Sequence, residues 1–294
     1  MTREELVPSQ EAKLLNPDFV EYPSERLPDQ PEPDLVRSSL FAVGGIGFWI
    51  LSVGFIAVFP TLFVIPYLFK QHIDLSDSKA LAEFAVSDKT AIILQLVAVI
   101  PAHLCTLLVG WLFVTRFRKF AFLKTLGFKT GGFQWWKYVL ILIGFGVLTY
   151  IVGTIYPEQE NDLIRVLRNS REAVYIIAIV ATFSAPFVEE LIYRGIVYST
   201  AERVVGVPFA FLIASFLFVA VHVPQYWPSF STLFLLLILS FILTAIRVKT
   251  NNLLPCVIFH TIFNGLQSIG LIADPLSKKP DVPDAAAFIF HLFR

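Results

Sequence analysis

The sequence predicts an all-α fold, a polytopic membrane bundle of about seven to eight transmembrane helices. Composition is the first reason. Of 294 residues, 56% are hydrophobic and 16% are charged, whereas a soluble domain carries about 45–50% apolar and about 25% charged residues. Mean hydropathy is +0.69, and 29 phenylalanines add bulk suited to lipid. The second reason is seven apolar runs, most close to the roughly 20 residues that cross a bilayer core. Formal net charge is zero, so nothing suggests a nucleic-acid partner. This composition excludes an ordinary soluble enzyme and a disordered chain.

Residues 1–37 carry both charge signs and six prolines without an apolar core, so they are no signal peptide and read as a disordered cytoplasmic tail. The first run, 38–69, is uncharged and too long for one straight helix; Pro60 and Pro66 are expected to break or kink its end. In the mixed-charge loop that follows, 80–85 reads as a short interfacial helix. The second run is 90–115. The third, 138–156, begins after Trp135, Trp136 and Lys137, an interfacial anchor set. The fourth starts near 173 and stays apolar to Glu189. The fifth, sixth and seventh are 207–221, 230–246 and 253–273, and 285–293 is an eighth element too short to span alone. No internal repeat is evident. Cys105 and Cys256 lie within apolar runs, where a free thiol packs as a small hydrophobe, so no disulfide framework or cysteine zinc site is expected.

Lysine and arginine bias orients such a bundle. The segment 116–137 holds Arg116, Arg118, Lys119, Lys124, Lys129 and Lys137 and no acid, which assigns it to the cytoplasm. Alternation adds Arg37, Arg203, Arg247 and Lys249 to that side and puts the N-terminus inside. Arg165, Arg168 and Arg171 on the other side blur the contrast.

A charge at mid-membrane costs about 2.5–3.5 kcal/mol on insertion scales, so ionisable groups within spans mark where function or partnership lies. Glu190 and Arg194 are four residues apart, acid first, and are placed to neutralise each other on one helix face. Glu189 lies about 100° round the helix, less well placed for Arg194 and so free to work. Pro186, with Ser184 as a candidate cap, suggests a helix start or kink beside them. His222 ends the fifth run, one turn after Phe218. His260 and Asn264 share a face of the seventh. Each feature alone also suits an inner ion pair, an interfacial histidine or helix-joining hydrogen bonds. Together they would form one polar pocket: a carboxylate and an imidazole able to activate water, and an imidazole and a carboxamide able to stabilise an oxyanion. The chemistry best served is amide hydrolysis. His103 lacks a polar companion at helical spacing and reads as packing or an interhelical hydrogen bond. There is no HisGluXaaXaaHis, GlyXaaSerXaaGly or GlyXaaGlyAsp motif.

Three short patterns occur in order: Glu189-Glu190-Leu191-Ile192-Tyr193-Arg194, Phe218-Val219-Ala220-Val221-His222 and His260-Thr261-Ile262-Phe263-Asn264. With Gly195 and Leu126-Gly127-Phe128-Lys129, the sequence resembles the CPBP family of intramembrane proteases, which unites type II CAAX-processing endopeptidases with bacteriocin-processing and immunity relatives, lysostaphin-resistance-protein-A-like proteins among them. The likeness covers about 120–290. With the apolar runs it gives a division into a tail (1–37), N-terminal transmembrane helices (38–119) and a CPBP-like catalytic transmembrane core (120–294); the tail and the first span are not supported by the likeness. It further implies an endopeptidase in which Glu189 activates water with His222, His260 and Asn264 stabilise the oxyanion, and Glu190 and Arg194 support the site. Cofactor need stays open between none and a zinc held by Glu189, His222 and His260; the metal-free reading is preferred. The expected partners are membrane lipids and a peptide or lipidated-protein substrate, in a multi-pass protein of the bacterial cytoplasmic membrane. The alternatives are a non-catalytic immunity or assembly factor on the same scaffold, or a transporter, which would more often show paired broken helices.

Overall fold

The computed structural model describes residues 35–273. The expected tail lies outside the described residues up to position 34, and so does the segment 285–293; residues 35–37 already belong to the first helix. The elements are α1 (Leu35–Lys70), α2 (Ser78–Ser87), α3 (Lys89–Thr115), α4 (Phe122–Thr125), α5 (Trp135–Ile155), α6 (Asp162–Asn169), α7 (Arg171–Ile179), α8 (Ala185–Glu190), α9 (Tyr198–Ala220), α10 (Val223–Tyr226), α11 (Phe230–Thr250) and α12 (Leu254–Ala273). Two π-helical stretches, Val180–Ser184 and Leu191–Val197, flank α8. No strand occurs among the described residues.

Among the described residues, six helical segments are long and apolar enough to cross a membrane. One of them, Arg171–Ala220, contains what the sequence presents as the fourth and fifth runs. Gly206 sits inside it at φ 76°, ψ 170°, a conformation open to glycine and strained for other residues. The chain folds back there: the rings of Tyr193 and Phe218 lie 5.1 Å apart, whereas an unbroken helix would separate them by roughly 37 Å. Fold class therefore agrees with the sequence, and the difference in span count reduces to this one turn. The chain is a multi-pass membrane protein.

The prolines of the first run do not end it. α1 continues through Pro60 and Pro66 to Lys70, and beside Pro60 the Thr61 hydroxyl donates to the Ala57 carbonyl at 2.9 Å. Proline forfeits one ladder bond, and in a long apolar segment the rest of the ladder sustains the helix.

Helix starts on one face of the bundle are capped by side chains. Asp77 accepts from Lys79 and Ala80, Asp88 from Ala91, Asn161 from Ile164 and Ser170 from Ala173; each satisfies an amide that the helix leaves orphaned. This face also carries ion pairs, Lys89–Glu172, Arg165–Glu83 and Arg168–Glu160. The second of these ties α6 to α2, which has no buried residue. The expected short helix over 80–85 thus exists, somewhat longer. On the opposite face the Asn252 amide donates to the Lys129 carbonyl at 2.7 Å, and a Cβ at Gly127 would come within 2.9 Å of the Asn251 carbonyl oxygen. Both free cysteines, Cys105 and Cys256, stay unbridged.

Candidate active site

The two glutamates occupy the last positions of α8, between the π-helical stretches. Pro186 has no N–H to give and crowds the carbonyl four residues back. The wider π-turn over Val180–Ser184 accommodates it, and α8 begins at Ala185 with the proline in its first turn, beside the start or kink expected there. Ser184 does not cap: its hydroxyl bonds back to Val180 O at 3.3 Å and meets His103 Nδ1 at 2.9 Å. π-bulges of this kind recur at functional sites because they re-aim neighbouring side chains.

Glu190 and Arg194 are fully buried and joined at 3.0 Å, as their spacing predicts. The guanidinium is satisfied from α11 as well: it donates to Ser240 O (3.0 Å), Ser240 Oγ (2.7 Å) and Thr244 Oγ1 (3.3 Å). Thr244 Oγ1 also contacts Ser215 Oγ at 3.2 Å. Burying the cation is tolerable with such pairing; on the acid's side Glu190 Oε2 is buried without a hydrogen-bond partner. Phe218 completes the cage, with the Arg194 guanidinium carbon 4.9 Å from its ring centre.

His260 joins the two acids. Its Nδ1 lies 2.8 Å from Glu190 Oε1, the oxygen that also accepts from Arg194. That oxygen is an acceptor, so Nδ1 carries hydrogen. Nε2 is therefore the atom turned to Glu189, whose Oε2 is 3.7 Å away. Glu189 keeps 23% of its side chain exposed, Glu190 none. The two neighbouring carboxylates thus differ in environment: one is locked, the other faces open space.

His222 directly follows α9. Its Nδ1 donates to the Phe218 carbonyl at 2.7 Å, which leaves the His222 Nε2 with the lone pair. The Phe218 ring contacts both imidazoles, 4.9 Å from His222 and 6.1 Å from His260. Asn264 spends one amide hydrogen on Ala181 O, 2.9 Å away in the first π-stretch; its second hydrogen and its carbonyl remain. A cavity of about 790 Å³ is lined by Glu189, His222, His260 and Asn264 together. His103 also lines it and, as expected, makes an interhelical hydrogen bond. The cavity runs from the glutamates to the capped face, where Leu163 and Leu167 of α6 and Gln225 and Tyr226 of α10 close it. Its lining is mostly apolar.

The donor chemistry of Glu189, His222 and His260 matches zinc ligands in kind. Among the described residues, however, no three His, Cys, Asp or Glu side chains are grouped to hold a metal ion.

Residues 171–266 match the family model for type II CAAX prenyl endopeptidase Rce1-like proteins. The chain carries an Rce1-like domain. The matched stretch contains all six motif residues, from Glu189 through Asn264, and the family that the model describes is one of endopeptidases. No curated protein and no solved structure matches the chain.

Sequence reasoning missed part of this site. Ser240 and Thr244 stand four apart inside an apolar span, the same signal that marks His260 and Asn264, and they cradle Arg194. Thr182 and Ser268 join the first π-stretch to α12 at 3.0 Å; no local pattern announces that contact. Glu158, in the loop after α5, also lines the cavity.

Proposed function

We propose that this protein is an intramembrane endopeptidase that hydrolyses a peptide bond with a water activated by Glu189. The observation that carries this reading is His260 set between the two glutamates, with Nδ1 held by the locked Glu190 and Nε2 directed to the accessible Glu189. Water bound between Glu189 and the lone pair of His222 Nε2 attacks the scissile carbonyl, and its proton passes to Glu189. His260 Nε2–H and the remaining Asn264 N–H stabilise the oxyanion. Collapse of the intermediate expels the amine, which takes the proton from Glu189. Glu190 and Arg194 touch no reacting atom; they fix the position of His260.

A non-catalytic factor on the same scaffold would have no use for an accessible carboxylate beside an oriented imidazole. The basic face, with Arg116 to Lys137, is assigned to the cytoplasm by the charge rule. Arg165 and Arg168 on the other face are paired with acids. In this orientation the cavity lies toward the outer side, which favours peptides presented there or within the bilayer over cytosolic lipidated tails. The test is cleavage of fluorogenic peptides, lipidated and unlipidated, by the purified protein beside Glu189→Ala and His260→Ala. Equal rates in all three proteins remove these roles.

A further inference from the structure

The mechanism uses the inner end of the cavity. The outer end holds a carboxylate with no assigned role. Glu158 lies in the loop between α5 and α6 and lines the same cavity as Glu189 and His222. Its neighbours in sequence are neutralised: Glu160 pairs with Arg168, Asp162 with Arg165 and Glu172 with Lys89. Glu158 has no ion-pair partner among the described residues, although it is half-buried. A loop that gives a counter-ion to each exposed acid withholds one from the acid that faces the cavity.

Its orientation is nevertheless fixed. Thr232 Oγ1 of α11 donates to Oε1 at 3.0 Å, and Asn161 Nδ2 reaches the same oxygen at 3.3 Å. Both bonds fall on Oε1, so Oε2 is left for a ligand. Thr232 is buried and itself held by Ser229 at 2.9 Å, so the carboxylate is braced from a membrane helix and not merely from its own loop. Tyr226, whose ring stacks on His222 with centres 6.2 Å apart, stands on the path between the two ends, close enough to feel the charge of both Glu158 and Glu189. An apolar channel with a fixed, uncompensated anion at its mouth suits an apolar peptide that carries one cation at a set distance from its reacting bond.

We infer that Glu158 is a specificity-determining residue that receives a lysine or arginine side chain of the substrate peptide while the scissile bond lies at Glu189. This rests on the endopeptidase reading, so the experiment separates the two. A set of apolar fluorogenic peptides, each with a single lysine moved stepwise along the sequence, is assayed for cleavage and, separately, for binding to the full-length protein in neutral-lipid nanodiscs. Wild-type protein is compared with Glu158→Gln and Glu158→Lys. At one or two lysine positions, wild-type kcat/KM and affinity should rise about tenfold over the norleucine peptide, the scale of a charge-assisted contact. Glu158→Gln should lose that preference and still cleave the norleucine peptide normally. Glu158→Lys should prefer glutamate at the same position, a reversal that misfolding cannot produce. Lysine-dependent binding without cleavage in any protein would sink the hydrolase reading and leave the cation site standing. Cleavage that ignores lysine position, or a preference that survives Glu158→Gln, overturns the inference.

Discussion

Replacing Arg194 by methionine keeps the length of the side chain and removes its charge. In the folded protein the guanidinium holds Glu190, the Ser240 carbonyl and hydroxyl, and Thr244. Methionine leaves the fully buried Glu190 carboxylate with His260 as its only hydrogen-bonding partner, and leaves Ser240 to find a new one. Breaking a buried pair from one side costs about 3–5 kcal/mol, because the surviving charge stays uncompensated. An exposed pair would cost at most about 1 kcal/mol. The assay is reversible unfolding of the purified protein in mixed micelles. Glu189→Gln serves as the internal contrast: that carboxylate is partly exposed and lies 3.7 Å from its nearest ionic partner, so its loss should change stability by less than about 1 kcal/mol. Adding Glu190→Gln to Arg194→Met should restore much of the loss, since no unpaired charge remains. A loss below about 1 kcal/mol in Arg194→Met, or equal losses in Arg194→Met and Glu189→Gln, would refute the division between a locked and a working glutamate.

Burial raises the Glu158 carboxyl above its ordinary value, against the lowering effect of the hydrogen bonds from Thr232 and Asn161. A raised folded-state pKa means that folding favours the protonated acid, so this contribution to stability is complete below about pH 4 and is lost as pH rises through the folded value. Thermal unfolding scans should therefore show Glu158→Gln gaining on wild type as pH is raised toward 8 and matching it in acid; a gap independent of pH contradicts this. Gly45 packs where an added Cβ would come within 2.1 Å of Thr200 Oγ1, a hydroxyl bonded to Ile196 O at 2.8 Å. Gly45→Ala should lower stability by about 1–3 kcal/mol, as overpacking does, and Thr200→Ala should recover part of it, read as midpoint shifts in the same assay. Chelators should leave cleavage unchanged, as expected when no three ligands are grouped among the described residues; one equivalent of zinc removed together with activity would replace that reading.

Much of the fold was legible because a bilayer demands long apolar runs, and such runs are visible in any sequence. What local pattern could not show was the turn at Gly206, since a lone glycine before Val207 and Pro208 reads equally as a loop or as a kink. The prolines misled in the other direction. Pro60 and Pro66 signal a helix end in water, yet in an apolar segment the alternative to a helix is an unsatisfied backbone, and α1 runs on. Within the site, Glu190–Arg194 and His260–Asn264 were legible because four-residue spacing is a property of one helix. The capping expected of Ser184 was displaced by π-helical geometry that depends on packing against α3 and α12. Glu158 and Thr232 were not legible at all: they lie 74 residues apart, and only the fold makes them neighbours.

Cleavage by this route requires Glu189 to activate a water beside a peptide bond whose oxyanion His260 holds. The most direct measurement is the single-turnover rate of peptide cleavage by the purified protein in nanodiscs, wild type beside Glu189→Gln. The predicted result is a fall of about 10²–10⁴ in rate with unfolding behaviour unchanged. Cleavage at the wild-type rate by Glu189→Gln would contradict it.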